Sequence, residues 1–271
     1  MESFQIDDAE FNLSEVDARI MGAGILPVRV VRDKLQVLLG KERYIPNWRG
    51  SHKWSGFEGG RKPGEEIEYN AAREFIEESI SSVNLVDCDT TIPSIVEALK
   101  AKKYVARIAL CILHGHHHDE RRYKIMYLME ACGNHDSEAC FASRRRTLMR
   151  FDNESKFVYD PLTQARIVRE YNNLDAACRS AIECDEALTV FRVQDDFLEK
   201  QSVQWWWLEE LEQVLNNGGC LQTNFFRAYF LPILWRTVRE LKRYEAPTGA
   251  TTGVAPALGT ERGGDVSDST A

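Results

Sequence analysis

The chain has 271 residues, 44% of them apolar and 28% charged, with 34 Lys+Arg against 42 Asp+Glu and a formal net charge of −8. These fractions exclude a fully disordered or fibrous chain, and the longest apolar runs, Gly22 to Val28 and Ile108 to Leu113, fall far short of the roughly 20 residues a membrane-spanning helix needs. The acidic balance argues against broad DNA binding, yet it leaves room for a local basic patch that holds an anionic substrate.

Residues 1–20 read as a flexible N-terminal arm. Its acidic start, Met1-Glu2-Ser3-Phe4, lacks the basic and then apolar layout of a secretory signal, so an intracellular location, cytoplasmic or nuclear, is expected. The seven cysteines, Cys88, Cys111, Cys132, Cys140, Cys178, Cys184 and Cys220, are scattered and form no Cys-x-x-Cys pair. They suggest neither a disulfide framework nor a thiolate zinc site. The folded domain is expected over residues 21–245, with an insertion around 133–195. From Ala246 to Ala271 the chain is dominated by Gly, Thr, Ala and Ser and reads as a disordered tail.

Within the domain, Gly22 to Val31 and Lys34 to Glu42 flank Arg32-Asp33 and predict a strand hairpin. A Gly/Pro-punctuated aromatic loop follows from Arg43 to Trp54, then a glycine-rich turn and a helix from about Glu66 to Ser79. A second helix is expected near Ser94 to Lys102, ahead of strands at Val105 to Leu113 and Arg122 to Ala131. Asp160-Pro161 is a favourable helix start, and Ala165, Val168, Tyr171, Leu174, Cys178 and Ile182 continue at helical spacing as an added helix. Val203 to Leu208 predicts a strand whose alternation sets Trp206 opposite Trp205 and Trp207. Glu209 to Leu215 reads as a helical turn, and Asn224 to Arg243 as a long helix bent at Pro232. Strands and helices that mix without strict alternation favour an α/β (α+β) sandwich over a doubly wound sheet.

The segment richest in chemistry runs from Gly59-Gly60 through Glu65 to Arg73-Glu74-Phe75-Ile76-Glu77-Glu78. Glu74, Glu77 and Glu78, at i, i+3 and i+4, share one helical face. Three like charges there repel one another, and a divalent cation with a taste for hard oxygen donors, Mg2+ or Mn2+, relieves that repulsion. Ile67, Ala71 and Phe75 lie on the other side and can anchor the helix in a core. The glycines permit a tight turn whose backbone approaches metal and phosphates, and Arg73 can orient a neighbouring carboxylate.

These residues resemble the Nudix hydrolase signature, Gly-x5-Glu-x7-Arg-Glu-(aliphatic or aromatic)-x-Glu-Glu-x-Gly-(aliphatic). Gly59, Glu65, Arg73, Glu74, Phe75, Glu77 and Glu78 match it in register. Ile80 and Ser81 stand where the signature has glycine and an aliphatic residue, and Glu58 stands where an earlier glycine is usual. The resemblance implies a Nudix-like α/β/α sandwich with a mixed sheet and added helices. It also implies metal-dependent cleavage of a diphosphate bond, with Glu74, Glu77 and Glu78 as metal ligands, Glu74 or Glu77 also handling the attacking water, and Gly59, Gly60, Glu65 and Arg73 supporting the loop. The family often draws a further general base from a distant loop; Glu199 is the candidate, with Glu183 and Glu186 behind it.

Around this segment, Arg43, Arg49, Lys53, Arg61 and Lys62 form a basic group suited to gripping a polyphosphate. Trp48 or Tyr44 offers a ring for a nucleobase, or packs as a lid. His114, His116, His117 and His118 are crowded on a hairpin loop, without metal-ligand spacing, and read as an exposed turn. Arg144-Arg145-Arg146 reads as a mobile surface run, with RNA or a multiply phosphorylated ligand as the functional alternative. The expected substrate is a nucleoside diphosphate linked to another moiety, capped RNA included. Diphosphoinositol polyphosphates are the alternative substrate class, and a binding or regulatory module without turnover is the alternative of another kind.

Overall fold

A computed structural model describes residues 3–6, 16–113, 121–133, 135–155, 161–185, 190–217 and 220–245. The histidine-rich turn at His114–His118, Glu186 and the run from Ala246 to Ala271 lie outside the described residues.

The architecture grows from one long strand, β2 (Ile20–Val31), and its hairpin partner β3 (Lys34–Glu42). Arg32 and Asp33 between them have φ of 50° and 61°, the left-handed pair that a two-residue hairpin turn matched to strand twist requires. One edge of β2 serves two partners in succession. Gly22 to Ile25 pair antiparallel with β5 (Phe57–Gly60), whereas Val28 to Val31 pair antiparallel with β3. Pro27 falls between the two pairings, where its missing N–H breaks no ladder bond on that edge. The other edge of β2 runs parallel to β7 (Arg121–Glu130), which pairs antiparallel with β6 (Ala106–Leu113).

The short strand β1 (Ser3–Ile6) closes that side against β6, so part of the segment expected as an arm supplies an edge strand. On the opposite side β10 (Lys200–Trp207) pairs with β3, and β4 (Trp54–Ser55) also borders β3. The mixed sheet runs β1-β6-β7-β2-β3-β10.

Helices cover both faces. On one, α1 (Ile67–Ser79) and α2 (Ile92–Lys100) bury Ile67, Ala71, Phe75, Ile95 and Leu99 against Ile25, Leu38 and Ile125. On the other, α6 (Leu208–Asn216) and α8 (Leu231–Glu245) bury Leu208, Leu211, Leu234 and Val238 against Leu26, Val37 and Leu128. The result is an α/β/α sandwich with a mixed sheet. Strand alternation places Trp205 in the first core, whereas Trp206 packs in the second against Trp54 and Phe226. Among the described residues no helix is long and apolar enough to cross a membrane.

Two predicted helices are divided. The periodic residues from Ala165 to Ile182 do not form one helix: α4 (Pro161–Asn172) stops, Asp175 caps the short α5 (Ala176–Ser180) by accepting from the Cys178 amide at 2.7 Å, and Ile182 opens strand β8 (Ile182–Asp185) beside β9 (Val190–Val193). An Asx cap competes locally with helix continuation, so apolar spacing alone overran it. Likewise the expected long bent helix is two, α7 (Cys220–Phe225) and α8. Pro232 lies in the first turn of α8, where its absent N–H costs no intrahelical bond. The break between them carries Arg227 and Tyr229.

Helix α3 (Ser137–Ser155) precedes α4, and its Phe151 packs with Tyr171 and Phe191. The arginine run on this helix is engaged. Arg144 Nη1 donates to the carbonyls of Ile80 (3.0 Å) and Ser81 (2.5 Å), while Arg145 Nε donates to the carbonyl of Lys200 at 2.8 Å. Only Arg146 of the three is exposed. Helix α3 thus ties the end of α1 to the start of β10.

Candidate active site

Helix α1 carries the carboxylates, and its surroundings explain their positions. Arg73 is nearly buried and fully engaged. Its Nε and Nη2 donate to the two oxygens of Glu65 at 2.7 and 3.2 Å, Nη1 pairs with Glu74 at 2.8 Å and Glu77 at 2.7 Å, and Nη2 also reaches the Gly60 carbonyl. One guanidinium therefore serves three carboxylates and leaves surplus negative charge on that face.

Burial is the main cause that pushes Glu74 up, to about 7; the charges of Glu77 and Glu199 add to it and Arg73 opposes it. Burial raises Glu77 too, again against Arg73 and with Asp196 adding to the rise. The turn is shaped to fit. A Cβ on Gly59 would lie 2.1 Å from the Glu74 carboxyl carbon, and Gly64 has φ +76°. Only glycine leaves the Glu74 carboxylate its place against the strand.

The C-terminus of α1 is where the chain departs from the signature. Ile80 and Ser81 have φ of 52° and 51°, the left-handed conformation a glycine would take without cost. Ile80 is fully buried in the core, and the Arg144 guanidinium holds both carbonyls. Packing and those bonds thus offset the backbone strain, and the helix end keeps the left-handed turn without the glycine.

A second group of charges lies deeper. Lys200 is wholly buried, and its Nζ is 2.8 Å from Glu42 Oε1, 2.8 Å from Ser55 Oγ and 2.9 Å from Glu78 Oε1. The other oxygen of Glu78 accepts the Glu58 amide at 2.7 Å. Arg227 also reaches Glu42, at 2.8 Å. Burial opposes ionisation of Glu42, but Lys200 and Arg227 outweigh it and hold the carboxyl below its usual range. Glu78, paired with one cation, is pushed upward by burial.

A cavity of about 470 Å3 opens between these groups. Glu74, Glu77, Glu58, Asp196 and Glu199 line it together with the Gly59-Gly60 backbone, and Arg43, Lys62, Lys124, Arg227, Trp48 and Tyr229 form its cationic and aromatic walls. Arg227 is stacked on Trp48 (5.1 Å) and Tyr229 (4.2 Å), and Lys124 sits over Tyr229 at 4.2 Å. At the rim, nearby protein pushes Glu199 up, Lys200 draws it back, and Glu42 and Asp196 add to the rise.

Of the predicted site residues, the fold brings Gly59, Gly60, Arg73, Glu74, Glu77, Glu199, Arg43 and Lys62 to this cavity. Glu78 is behind it and Glu65 supports it through Arg73. Arg61 turns to Asp17 at 3.0 Å and to the Glu65 carbonyl, and Arg49 and Lys53 do not line the cavity. Glu183 is on the β8–β9 hairpin and does not line it either; Tyr44 stacks on His52. Glu42, Glu58, Lys124, Lys200, Arg227 and Tyr229 escaped sequence reasoning. Glu58 had a visible signal, a carboxylate where an earlier glycine is usual; Lys124, at the head of the apolar run Ile125 to Met129, had a weaker one.

Among the described residues no three His, Cys, Asp or Glu side chains are already gathered into a metal shell. The donor set nevertheless fits a hard divalent cation: carboxylate oxygens in excess of their cations face the cavity, and buried Glu58 Oε1 has no hydrogen-bond partner. Glu74 and Glu77 are the signature carboxylates that can take part.

No protein-family model and no curated protein matches the chain. Solved structures similar to it include a C. elegans Ap4A hydrolase binary complex, at 14% identity and TM-score 0.33, covering 82% of this chain and 95% of that one. A Nudix hydrolase from M. smegmatis is similar at 10% identity and TM-score 0.35, covering 83% and 88%. The Nudix domain of Shewanella oneidensis NrtR, complexed with ADP ribose, is similar at 9% identity and TM-score 0.35, covering 87% and 94%. The chemistry of the site follows from its own residues.

Proposed function

We propose that the chain is a metal-dependent Nudix phosphohydrolase that cleaves the diphosphate bond of a nucleoside diphosphate linked to another moiety, capped RNA being one such substrate. The observation that carries this reading is the pairing, across one cavity, of the Glu74 and Glu77 carboxylates with the cations Arg43, Lys62, Lys124 and Arg227. An acidic floor with a basic wall suits a ligand that is itself anionic and arrives with Mg2+ or Mn2+.

Glu74 and Glu77 hold the ion. When bound, it supplies neutralisation of phosphate charge and a more acidic water. Glu199 accepts the proton of the attacking water, a role its raised pKa favours over an ordinary surface carboxylate. Arg43, Lys62, Lys124 and Arg227 meet phosphate oxygens as these gain charge, through charge-assisted bonds. The Trp48 ring lines the wall with Arg227 over it at 5.1 Å, and such an aromatic and cationic wall suits the base of a nucleoside better than a diphosphoinositol. Arg73 touches no substrate; it orients Glu74 and Glu77.

The test is incubation with Mg2+ or Mn2+ and a panel of dinucleoside polyphosphates, nucleotide sugars, capped RNA and diphosphoinositols. Cleavage of nucleoside-containing members, lost in Glu77→Gln, is expected. Cleavage of diphosphoinositols alone would replace the substrate class. Ligand binding without turnover of any member would mark a binding module.

A further inference from the structure

Resting on the diphosphate-cleaving reading above, we propose that Tyr229 is a positioning residue, whose ring holds Arg227 and Lys124 as one preset pair that grips the phosphates of the substrate.

The turn between α7 and α8 brings the ring there. Phe226 and Phe230 are fully buried in the second core, and the Arg227 carbonyl accepts the Phe230 and Leu231 amides at 2.9 and 3.2 Å. The Arg227 amide donates to the Trp54 carbonyl at 3.1 Å. Pinned in this way, the turn sets both Arg227 and Tyr229 on the cavity wall. Lys124 arrives separately, from β7. The Arg227 guanidinium carbon and Lys124 Nζ each lie 4.2 Å from the centroid of the Tyr229 ring. The two cations are therefore no farther apart than twice that distance, close enough for the oxygens of one diphosphate to meet both.

Two cations at one ring repel each other, so their places need support. On the protein side Glu42 accepts from Arg227 at 2.8 Å and Glu58 from Lys124 at 3.3 Å. Glu42 is shared, because the same Oε1 also accepts from Lys200 and Ser55, at 2.8 and 2.6 Å. What both cations have in common is the ring, whose face attracts positive charge. Burial, with Glu58 adding to it, pushes the Tyr229 hydroxyl well above its usual range. The phenol stays un-ionised, and the attraction is that of a ring face, not of a phenolate. The side chains of Arg227 and Lys124 keep 22% and 18% exposure, and both line the cavity. An anion entering the cavity relieves their repulsion from the open side. A pair already in place gives up little freedom on binding it, so the ring sets phosphate affinity through the two cations.

The experiment is calorimetric titration of the full chain with inorganic pyrophosphate in Mg2+, alongside cleavage of the diphosphate panel. It compares wild type, Tyr229→Phe, Tyr229→Leu and Arg227→Met, and a series in which the ring of Tyr229→Phe is increasingly fluorinated, which drains its face of electron density while keeping its shape. Tyr229→Phe is expected to bind pyrophosphate within about twofold of wild type. Affinity is expected to fall stepwise with fluorination, by about tenfold at the end of the series, as in Tyr229→Leu. Arg227→Met is expected to lose about tenfold or more, and Tyr229→Leu to cost little further in the background of Arg227→Met and Lys124→Met. Should Tyr229→Leu fail to fold by circular dichroism, the fluorinated series decides, because it leaves the packing intact. Affinity that ignores fluorination, or wild type that binds no pyrophosphate, would overturn the inference alone. Wild type that binds pyrophosphate with this dependence on the ring, yet cleaves no member of the panel with Mg2+ or Mn2+, would overturn the hydrolase reading and leave the pair standing.

Discussion

Replacing Ile80 by glycine restores the residue that the signature has at the end of α1, and two opposed effects decide its outcome. Ile80 holds φ 52° and ψ 38°, which for a side chain with a Cβ costs about 1–2 kcal/mol. Glycine removes that strain. Its freer unfolded chain returns about 0.5–1 kcal/mol of the gain. Against this, Ile80 is 0% exposed and sits in the core with Ile76 and Val83. Deleting a buried isoleucine side chain costs about 2–5 kcal/mol. Packing therefore wins, and Ile80→Gly is expected to destabilise by about 2–4 kcal/mol. For a domain of this size, about 2–4 °C of Tm accompanies each kcal/mol, so the melt should drop by roughly 4–16 °C. Thermal unfolding of the full chain by circular dichroism reads this. A glycine variant as stable as wild type, or more stable, would refute the reasoning, because it would mean that strain outweighs burial and that the departure from the signature is a defect the chain tolerates.

Two further outcomes follow from the same region. In Gly59→Ala the added Cβ would sit 2.1 Å from the Glu74 carboxyl carbon; the flexible carboxylate must leave its place, so turnover should fall at least about 100-fold with a native far-UV spectrum, and unchanged turnover would contradict the placement of Glu74. Glu74, 12% exposed at its side chain and raised from 4.5 to about 7, binds its proton more tightly folded than unfolded. Its contribution to stability is therefore present below pH 4.5 and is lost as pH rises through 7, about 3 kcal/mol in all. The stability of wild type relative to Glu74→Gln should fall between pH 5 and 8, with Mn2+ restoring it; a difference that is flat with pH would dismiss the raised carboxyl.

What was legible in the sequence was local. The hairpin around Arg32-Asp33 and helix α1 announced themselves because strand composition, turn residues and 3.6-residue spacing are short-range signals. The carboxylates of Glu74 and Glu77 were legible for the same reason. What was not legible depends on partners remote in the chain: Lys200 meets Glu42 across 158 residues, and nothing near either one reveals the other. The arginine run misled in the same way, since Arg144 and Arg145 look like solvated charge until the fold brings the carbonyls of Ile80, Ser81 and Lys200 to them. Apolar spacing carried the helix prediction past Asp175 because a cap and a helix interior share hydrophobic period on either side.

The most direct test of the central claim is product formation from the diphosphate panel by wild type with Mn2+, by wild type under chelator, and by Glu77→Gln with Mn2+, in water enriched in 18O. Diphosphate cleavage that appears only in the first case, with one 18O placed on a phosphate product, is the result predicted here. Cleavage that survives both the chelator and the loss of the Glu77 carboxylate would contradict it.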